Sequence, residues 1–276
     1  MKNVLVFGNK GFIGRNLVKE IKENYPFKVF GSDIDIFDVT WQENWIDYHI
    51  KNYDYIFYLS AFSDIKHCNA CPVSAFAVNV NGLLYLLEKI KEQNTTLIFS
   101  SSVYVYNNSS GIYGITKRTA ESIIKWYSKN HSLDYRILRY GTVYGIDSLN
   151  SMYKLIKNAL DTGIISYYGT GEEIREYIHI KDVVNCSLEI LNDKYKNKTL
   201  TLTGYFPMKA KDMCYILREI LGEGYDIKFE SQVPSGHYTT TPYSYMPDIS
   251  EKYVANTFYD LGAGLLSLIK EIEEEN

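Results

Sequence analysis

Val4-Leu5-Val6-Phe7 is a short apolar run that ends in Gly8, and Ile13, Leu17, Val18 and Ile21 then recur at helical spacing. Between the two patterns lies Gly8-Asn9-Lys10-Gly11-Phe12-Ile13-Gly14. A strand that turns through glycines into a helix is where a dinucleotide pyrophosphate meets a helix N-terminus, the glycines allowing a tight turn and close backbone approach. The spacing is Gly-x-x-Gly-x-x-Gly, not Gly-x-Gly-x-x-Gly, so the reading rests on the strand before and the helix after. Asp33 closes the next strand nineteen positions beyond Gly14, where an acidic residue binds the ribose hydroxyls of NAD. Asp35 follows, and Ile34 is no arginine. Two carboxylates repel a 2′-phosphate, so the expected cofactor is NAD and NADP is the lesser alternative.

The alternation continues along the chain. Lys28 to Gly31, Tyr55 to Leu59, Thr96 to Ser100 and Tyr135 to Arg139 read as further strands, and Ala75 to Lys91 and Tyr113 to Tyr127 as helices. Strands alternating with helices predict an α/β fold, a doubly wound parallel Rossmann sheet covered on both faces. After Gly145 the pattern is less regular: helix 151–161, a turn at Gly169-Thr170-Gly171, helix 182–192, strand 199–202, helix 209–221, strand 226–229 and helix 260–273. The expected division is a dinucleotide-binding domain over 1–145 and, over 146–276, mainly a smaller C-terminal α/β substrate lobe, partly interleaved with the first.

The 276 residues, 46% apolar and 22% charged, suit a globular protein with a sizeable core. A net charge of -4 leaves no cationic excess to neutralise phosphates, so neither nucleic acid nor a membrane surface is an expected partner. No signal-peptide pattern is visible and no apolar run approaches the roughly 18 residues of a membrane span, so a cytoplasmic location is expected. Cys68, Cys71, Cys186 and Cys214 form no disulfide framework. His67-Cys68-x-x-Cys71 lacks a second ligand pair at suitable spacing, so no metal site is expected and the thiols read as free.

Tyr113 and Lys117, in Tyr113-Gly114-Ile115-Thr116-Lys117, share a helix face. A phenol with its ordinary pKa of about 10 is a poor base at neutral pH, and a neighbouring ammonium favours the phenolate. Together with Gly8-x-x-Gly11-x-x-Gly14 and Ser100-Ser101-Ser102, the pair resembles the extended short-chain dehydrogenases/reductases, the NAD-dependent epimerase/dehydratase family acting on nucleotide-activated sugars. The resemblance extends through Leu59-Ser60-Ala61-Phe62-Ser63, Val78-Asn79-Val80-Asn81-Gly82, Arg139 to Gly145, and Gly169-Thr170-Gly171 leading to Arg175 and Asp182.

Carried over residue by residue, the resemblance implies that Tyr113 is the acid/base, that Ser102 hydrogen-bonds the reacting oxygen, and that Lys117 holds the nicotinamide ribose while lowering the Tyr113 pKa. Asp38 and Val39 match the pair that touches adenine, Ser60 and Ala61 the backbone beside the cofactor ribose, and Tyr140 and Val143 the nicotinamide pocket. Lys10, Phe12, Ile13, Ile34, Leu59, Ser63, Asn79 and Ser100 complete the implied cofactor set. Arg175 matches a residue that pairs with the diphosphate of the sugar nucleotide, and Thr142 and Ser102 are the other implied substrate contacts. Asn79 also reads as a hydrogen bonder between helix and loop, Arg175 as a surface ion-pair partner, His179 as structural and Asp182 as a helix N-cap. The family further implies a homodimer through the helices at 75–91 and 113–127.

Two departures bear on the reaction. Thr142 stands where the family often has Asn, and the eleven-residue interval from Ser102 to Tyr113 is short for the family. The Thr-Asp-Glu run of the dehydratases falls on Ser102, Val103 and Tyr104, so a 4,6-dehydratase is not expected. A 4-epimerase and a 4-keto sugar reductase remain, and the triple serine resembles the epimerases. A non-catalytic cofactor-binding protein is a third reading, which the presence of both Tyr113 and Lys117 disfavours.

Overall fold

A computed structural model describes residues 1–32, 50, 53–107, 110–148, 151–230, 251–253 and 258–274. Seven parallel strands form one sheet, in the spatial order Glu251–Tyr253, Lys198–Leu202, Asp134–Tyr140, Thr96–Ser102, Tyr55–Tyr58, Lys2–Phe7 and Phe27–Ser32. The central strands carry continuous buried apolar runs, Val4–Phe7, Ile56–Tyr58 and Leu97–Phe99, because both faces of the sheet are covered there. Alternate side chains sort to opposite sides. Val4, Val6, Phe57, Ile98 and Leu138 face Leu17 and Ile21 of the helix Phe12–Asn24 and Val183, Val184 and Leu188 of the helix Ile180–Glu189. Leu5, Phe7, Ile56, Leu97, Phe99 and Ile137 face Leu83, Leu86, Leu87 and Ile90 of the helix Pro72–Ile90 and Ala120, Ile124 and Tyr127 of the helix Gly111–His131. The expected α/β Rossmann architecture is present.

A separate apolar cluster holds the C-terminal lobe. Met152, Leu155 and Ile156 of the helix Ser151–Thr162 meet Met213 and Leu217 of the helix Ala210–Leu221 and Leu265, Leu268 and Ile272 of the helix Leu261–Glu274. The strand Ile164–Tyr168, absent from the sequence reading, pairs in parallel with Asp226–Glu230. Two further pairs, Thr142–Tyr144 with Tyr177–His179 and Ile174–Arg175 with Met208–Lys209, were also unanticipated. Elements of two or three residues are too short for an alternating pattern to register.

The helix Pro72–Ile90 is long and apolar enough, by length and composition, to cross a membrane, contrary to the expectation that no segment approaches that limit. Half of its apolar stretch is buried in the protein, against the sheet. The helix starts earlier than Ala75, since Pro72 stands in its first turn. Its middle, Ala77–Asn81, widens into a π-turn, a distortion frequent at functional sites.

Beneath the sheet's C-terminal edge lies a buried polar network. Arg139 donates through Nε and Nη2 to the two carboxylate oxygens of Glu121, at 2.9 and 2.5 Å, and through Nη1 to the Tyr106 hydroxyl at 2.8 Å. Ser101 donates to Glu121 at 2.5 Å, and the hydroxyls of Tyr106 and Thr201 share a bond of 2.9 Å. Removing one member of such a pair strands the other charge, whereas removing both can be far milder. Arg139→Met is therefore expected to lower stability by roughly 3–5 kcal/mol in urea unfolding, and Arg139→Met with Glu121→Leu by less than that single change. A double variant as unstable as the sum of both singles would contradict this reading.

Candidate active site

The glycine turn is shaped as the sequence requires. Gly8 has φ +79°, and a Cβ there would lie 3.0 Å from the Ser60 amide nitrogen. A Cβ on Gly14 would sit 2.0 Å from the Gly8 carbonyl oxygen, so the helix packs directly on the turn. That helix begins at Phe12 with Gly11 as an N-cap that offers no side chain, and no acidic residue stands in its first turn. Its N-terminal amides and positive dipole end are thus suited to an anion such as a pyrophosphate. The turn fits the phosphates of a dinucleotide.

Above the strand ends opens a cleft of about 490 Å³. Gly8, Gly11, Phe12, Ile13 and Gly14 line one end, and Leu59, Ala61 and Ser63 form a wall. Ser100, Ser102, Tyr113 and Lys117 come together below, with Tyr140, Thr142 and Val143 beside them and Arg175 towards the lobe. Lys10 is exposed on the turn and Ser60 is buried against Gly8, neither of them lining the cleft. Asp33, Ile34, Asp38 and Val39 lie outside the described residues. Asn79 stands behind the wall instead of in it. Its side-chain amide accepts from the Phe62 N–H at 2.8 Å, donates to the Phe62 carbonyl at 3.0 Å and reaches the Thr116 hydroxyl at 3.1 Å. It clamps loop to helix.

Ser102 ends its strand and Tyr113 occupies the first turn of the helix Gly111–His131, with Lys117 one turn on. Burial pushes the Tyr113 phenol up to about 12, opposed by a hydrogen bond with Ser102 and helped by the nearby Cys68. Burial brings Lys117 down to about 8, opposed by Cys68 and Glu121. The expectation that Lys117 lowers the Tyr113 pKa is not met in this arrangement. The ammonium donates to the Ser100 carbonyl at 2.8 Å and lies 5.9 Å from the Tyr113 ring centroid, and the phenol's shift is set by burial first, then by Ser102 and Cys68.

Arg175 lies on a two-residue strand, and its Nη1 donates to the Ile174 carbonyl at 3.1 Å. The preceding turn is fixed by Glu173, whose carboxylate accepts from the Thr170 and Gly171 amides at 2.7 and 2.9 Å. Tyr104, Tyr167 and Tyr177 also line the cleft and were not singled out from sequence. Among many tyrosines, nothing in their spacing distinguishes them. His179 is buried, brought down to about 4 by burial and then by Lys181, and accepts from the Lys181 amide at 3.4 Å. It is itself the N-cap of the next helix, so Asp182 lies within the first turn instead of capping it, and accepts from the Tyr259 amide at 2.9 Å.

Comparison with known proteins agrees with this geometry. Residues 4–201 match the NAD dependent epimerase/dehydratase family, well over half of the chain. An uncharacterised UDP-glucose epimerase of Bacillus subtilis is 24% identical, the match covering 83% of this chain and 85% of that protein. A UDP-glucose 4-epimerase of Thermotoga maritima, solved with UDP-glucose, shares the fold at a TM-score of 0.81 and 22% identity, over 99% of both chains. A UDP-glucuronic acid 4-epimerase of Bacillus cereus, solved with UDP-glucuronic acid and NAD, shares it at 0.81 and 21% identity, over 99% of this chain and 100% of that one. The glycine turn and the family match over the sheet lead to one conclusion: the chain is an enzyme of the NAD dependent epimerase/dehydratase family.

Proposed function

We propose that this enzyme is a nucleotide-sugar 4-epimerase using NAD. The observation that carries the reading is the meeting of Ser102, Tyr113 and Lys117 in one cleft, between a phosphate-binding glycine turn and Arg175. Bound NAD would supply the hydride acceptor and donor at sugar C4. The chain's own residues move the proton and hold the substrate. Tyr113, held protonated by burial, is suited to donate to an oxygen that gains negative charge at C4. To take a proton in the opposite direction it needs positive charge nearby, and Lys117, one turn along the same helix, is the cation of that helix that lines the cleft. Ser102 hydrogen-bonds the phenol and is placed to hold the same oxygen.

The Arg175 guanidinium fork suits a diphosphate, and its position across the cleft from the glycine turn fits a substrate lying opposite the cofactor. Relatives described as UDP-sugar 4-epimerases support the choice of reaction. Preference for NAD over NADP rests on Asp33 and Asp35 in the sequence. A homodimer would use the helices Pro72–Ile90 and Gly111–His131, the second of which exposes Ile115 and Trp126.

The test is to incubate the purified enzyme with UDP-glucose and with UDP-galactose and resolve the two epimers by chromatography. Interconversion without net NADH consumption is expected, and Tyr113→Phe should lower kcat about 10²–10⁴-fold while NAD still binds. Unchanged turnover in that variant would overturn the assignment, and net NADH oxidation with a 4-keto sugar nucleotide would point to a reductase instead.

Lys117 also links function to stability. Its folded value near 8 lies below the ordinary 10.5, so between those pH values the unfolded chain binds the proton more tightly. The burial penalty acts in full below about pH 8 and fades towards 10.5. Lys117→Met should therefore lose activity yet gain stability on the order of 2 kcal/mol at pH 7, after allowance for the lost bond to Ser100. Denaturant titrations across pH 7 to 10.5 should show that advantage shrinking as pH rises.

A further inference from the structure

The first turn of the helix that carries Tyr113 is poorly built to hold itself. It reads Gly111-Ile112-Tyr113-Gly114, with two glycines flanking the tyrosine and no acidic residue to meet the helix dipole. Ser110, the N-cap, makes no side-chain cap bond, because its hydroxyl is turned back to the Asn107 carbonyl at 2.6 Å. The opening helical bond, from the Gly114 N–H to the Ser110 carbonyl, is stretched to 3.4 Å. Gly114 cannot be exchanged for a better helix former, since a Cβ there would fall 1.7 Å from the Ser110 hydroxyl.

The missing cap comes from another segment. Asn69, in the short helix Ile65–Ala70, accepts from the Ile112 N–H through Oδ1 at 2.9 Å. Asp64 caps the start of that short helix by accepting from the His67 N–H at 2.6 Å, and Ile65 and Cys68 of the same helix pack against the Tyr113 side chain. Gly111 keeps the approach open. It has φ +60°, and a Cβ on it would lie 2.3 Å from Asn69 Oδ1. We infer that Asn69 is a positioning residue that caps the Tyr113 helix from outside and holds its first turn, and with it the phenol, in register with Ser102.

The inference rests on the reading of Tyr113 as the acid/base, and the experiment separates the two. Asn69→Ala should lower kcat about fivefold, the population factor that one lost N-cap carries, with KM for the sugar nucleotide and NADH affinity by fluorescence unchanged. Asn69→Asp keeps an acceptor at the same place and should restore kcat to within about twofold of wild type. Gly111→Ala, which crowds the same contact, should reproduce the kcat loss. In a Tyr113→Phe background, Asn69→Ala should bring no further loss of turnover. Amide hydrogen exchange at Ile112 and Tyr113 should quicken in Asn69→Ala. Wild-type kcat and wild-type exchange in Asn69→Ala, or no rescue by Asn69→Asp, would overturn the inference. Undiminished turnover in Tyr113→Phe alone would instead overturn the functional reading, with the exchange measurement still deciding whether Asn69 caps the helix.

Discussion

The ion pair between Arg139 and Glu121 ties together the parts that the cleft needs in fixed relation. Arg139 lies on the strand Asp134–Tyr140, Glu121 on the helix that carries Tyr113 and Lys117, and Ser101, the third partner, directly precedes Ser102. Tyr106 adds the 3-10 turn that leaves the strand Thr96–Ser102, and Thr201 adds the strand Lys198–Leu202 beside Asp134–Tyr140. Two charges out of water are stabilising only when their remaining donors and acceptors are also bonded, and here Tyr106, Ser101 and Thr201 enter the network from three different elements. A small shift in any one of them would leave a buried charge short of partners, so the network resists intermediate positions. Ser102 and Tyr113 inherit their separation from it.

Burial acts on the same helix in the opposite sense. Tyr113 and Lys117 both lie inside the protein, and desolvation pushes the phenol up and the ammonium down, each towards its neutral form. A site built for stability alone would place apolar side chains at both positions. The helix retains them beside Phe99, whose ring lies 5.0 Å from the Lys117 ammonium and contributes a weak attraction to the cation. Perturbed groups gathered in a cleft are what proton-transfer sites require, and the instability they introduce is confined to one helix that the Glu121 network anchors.

How much of this was legible in the sequence follows from how local each signal is. The glycine turn could be read because strand, turn and helix are contiguous and a Cβ at Gly14 has nowhere to go. Tyr113 and Lys117 could be read because four residues on a helix share a face. The direction of the Tyr113 shift could not, because it depends on burial by segments distant in sequence and, to a lesser degree, on the charge interaction with Cys68 of the short helix Ile65–Ala70. Asn79 carried two readings, and only the fold shows its amide spent on Phe62 and Thr116. Tyr104, Tyr167 and Tyr177 reach the cleft from three separate segments, and no periodicity connects them. Asp182 looked like a cap because caps are recognised by residue type before an apolar run, whereas the helix begins two residues earlier, at Ile180.

The short connection from Ser102 to Tyr113 gains a physical meaning from these contacts. A longer loop could close over a substrate at the expense of ordering itself on each binding event. Here Arg118 donates to the carbonyls of Val105 and Asn107 at 3.1 and 3.3 Å, Tyr106 is bonded into the core network, and Ser110 folds back on Asn107. Tyr104, one residue beyond Val103 in the same turn, then stands edge-on to Tyr113 with ring centroids 6.0 Å apart, a favoured aromatic geometry. The described part of this rim is therefore fixed before any ligand arrives. Under the proposed function, selection at the sugar end works by fit against a standing wall in which Tyr104 and Tyr113 are neighbours, so the shape that admits a substrate and the position of the proposed acid/base are set by the same few bonds.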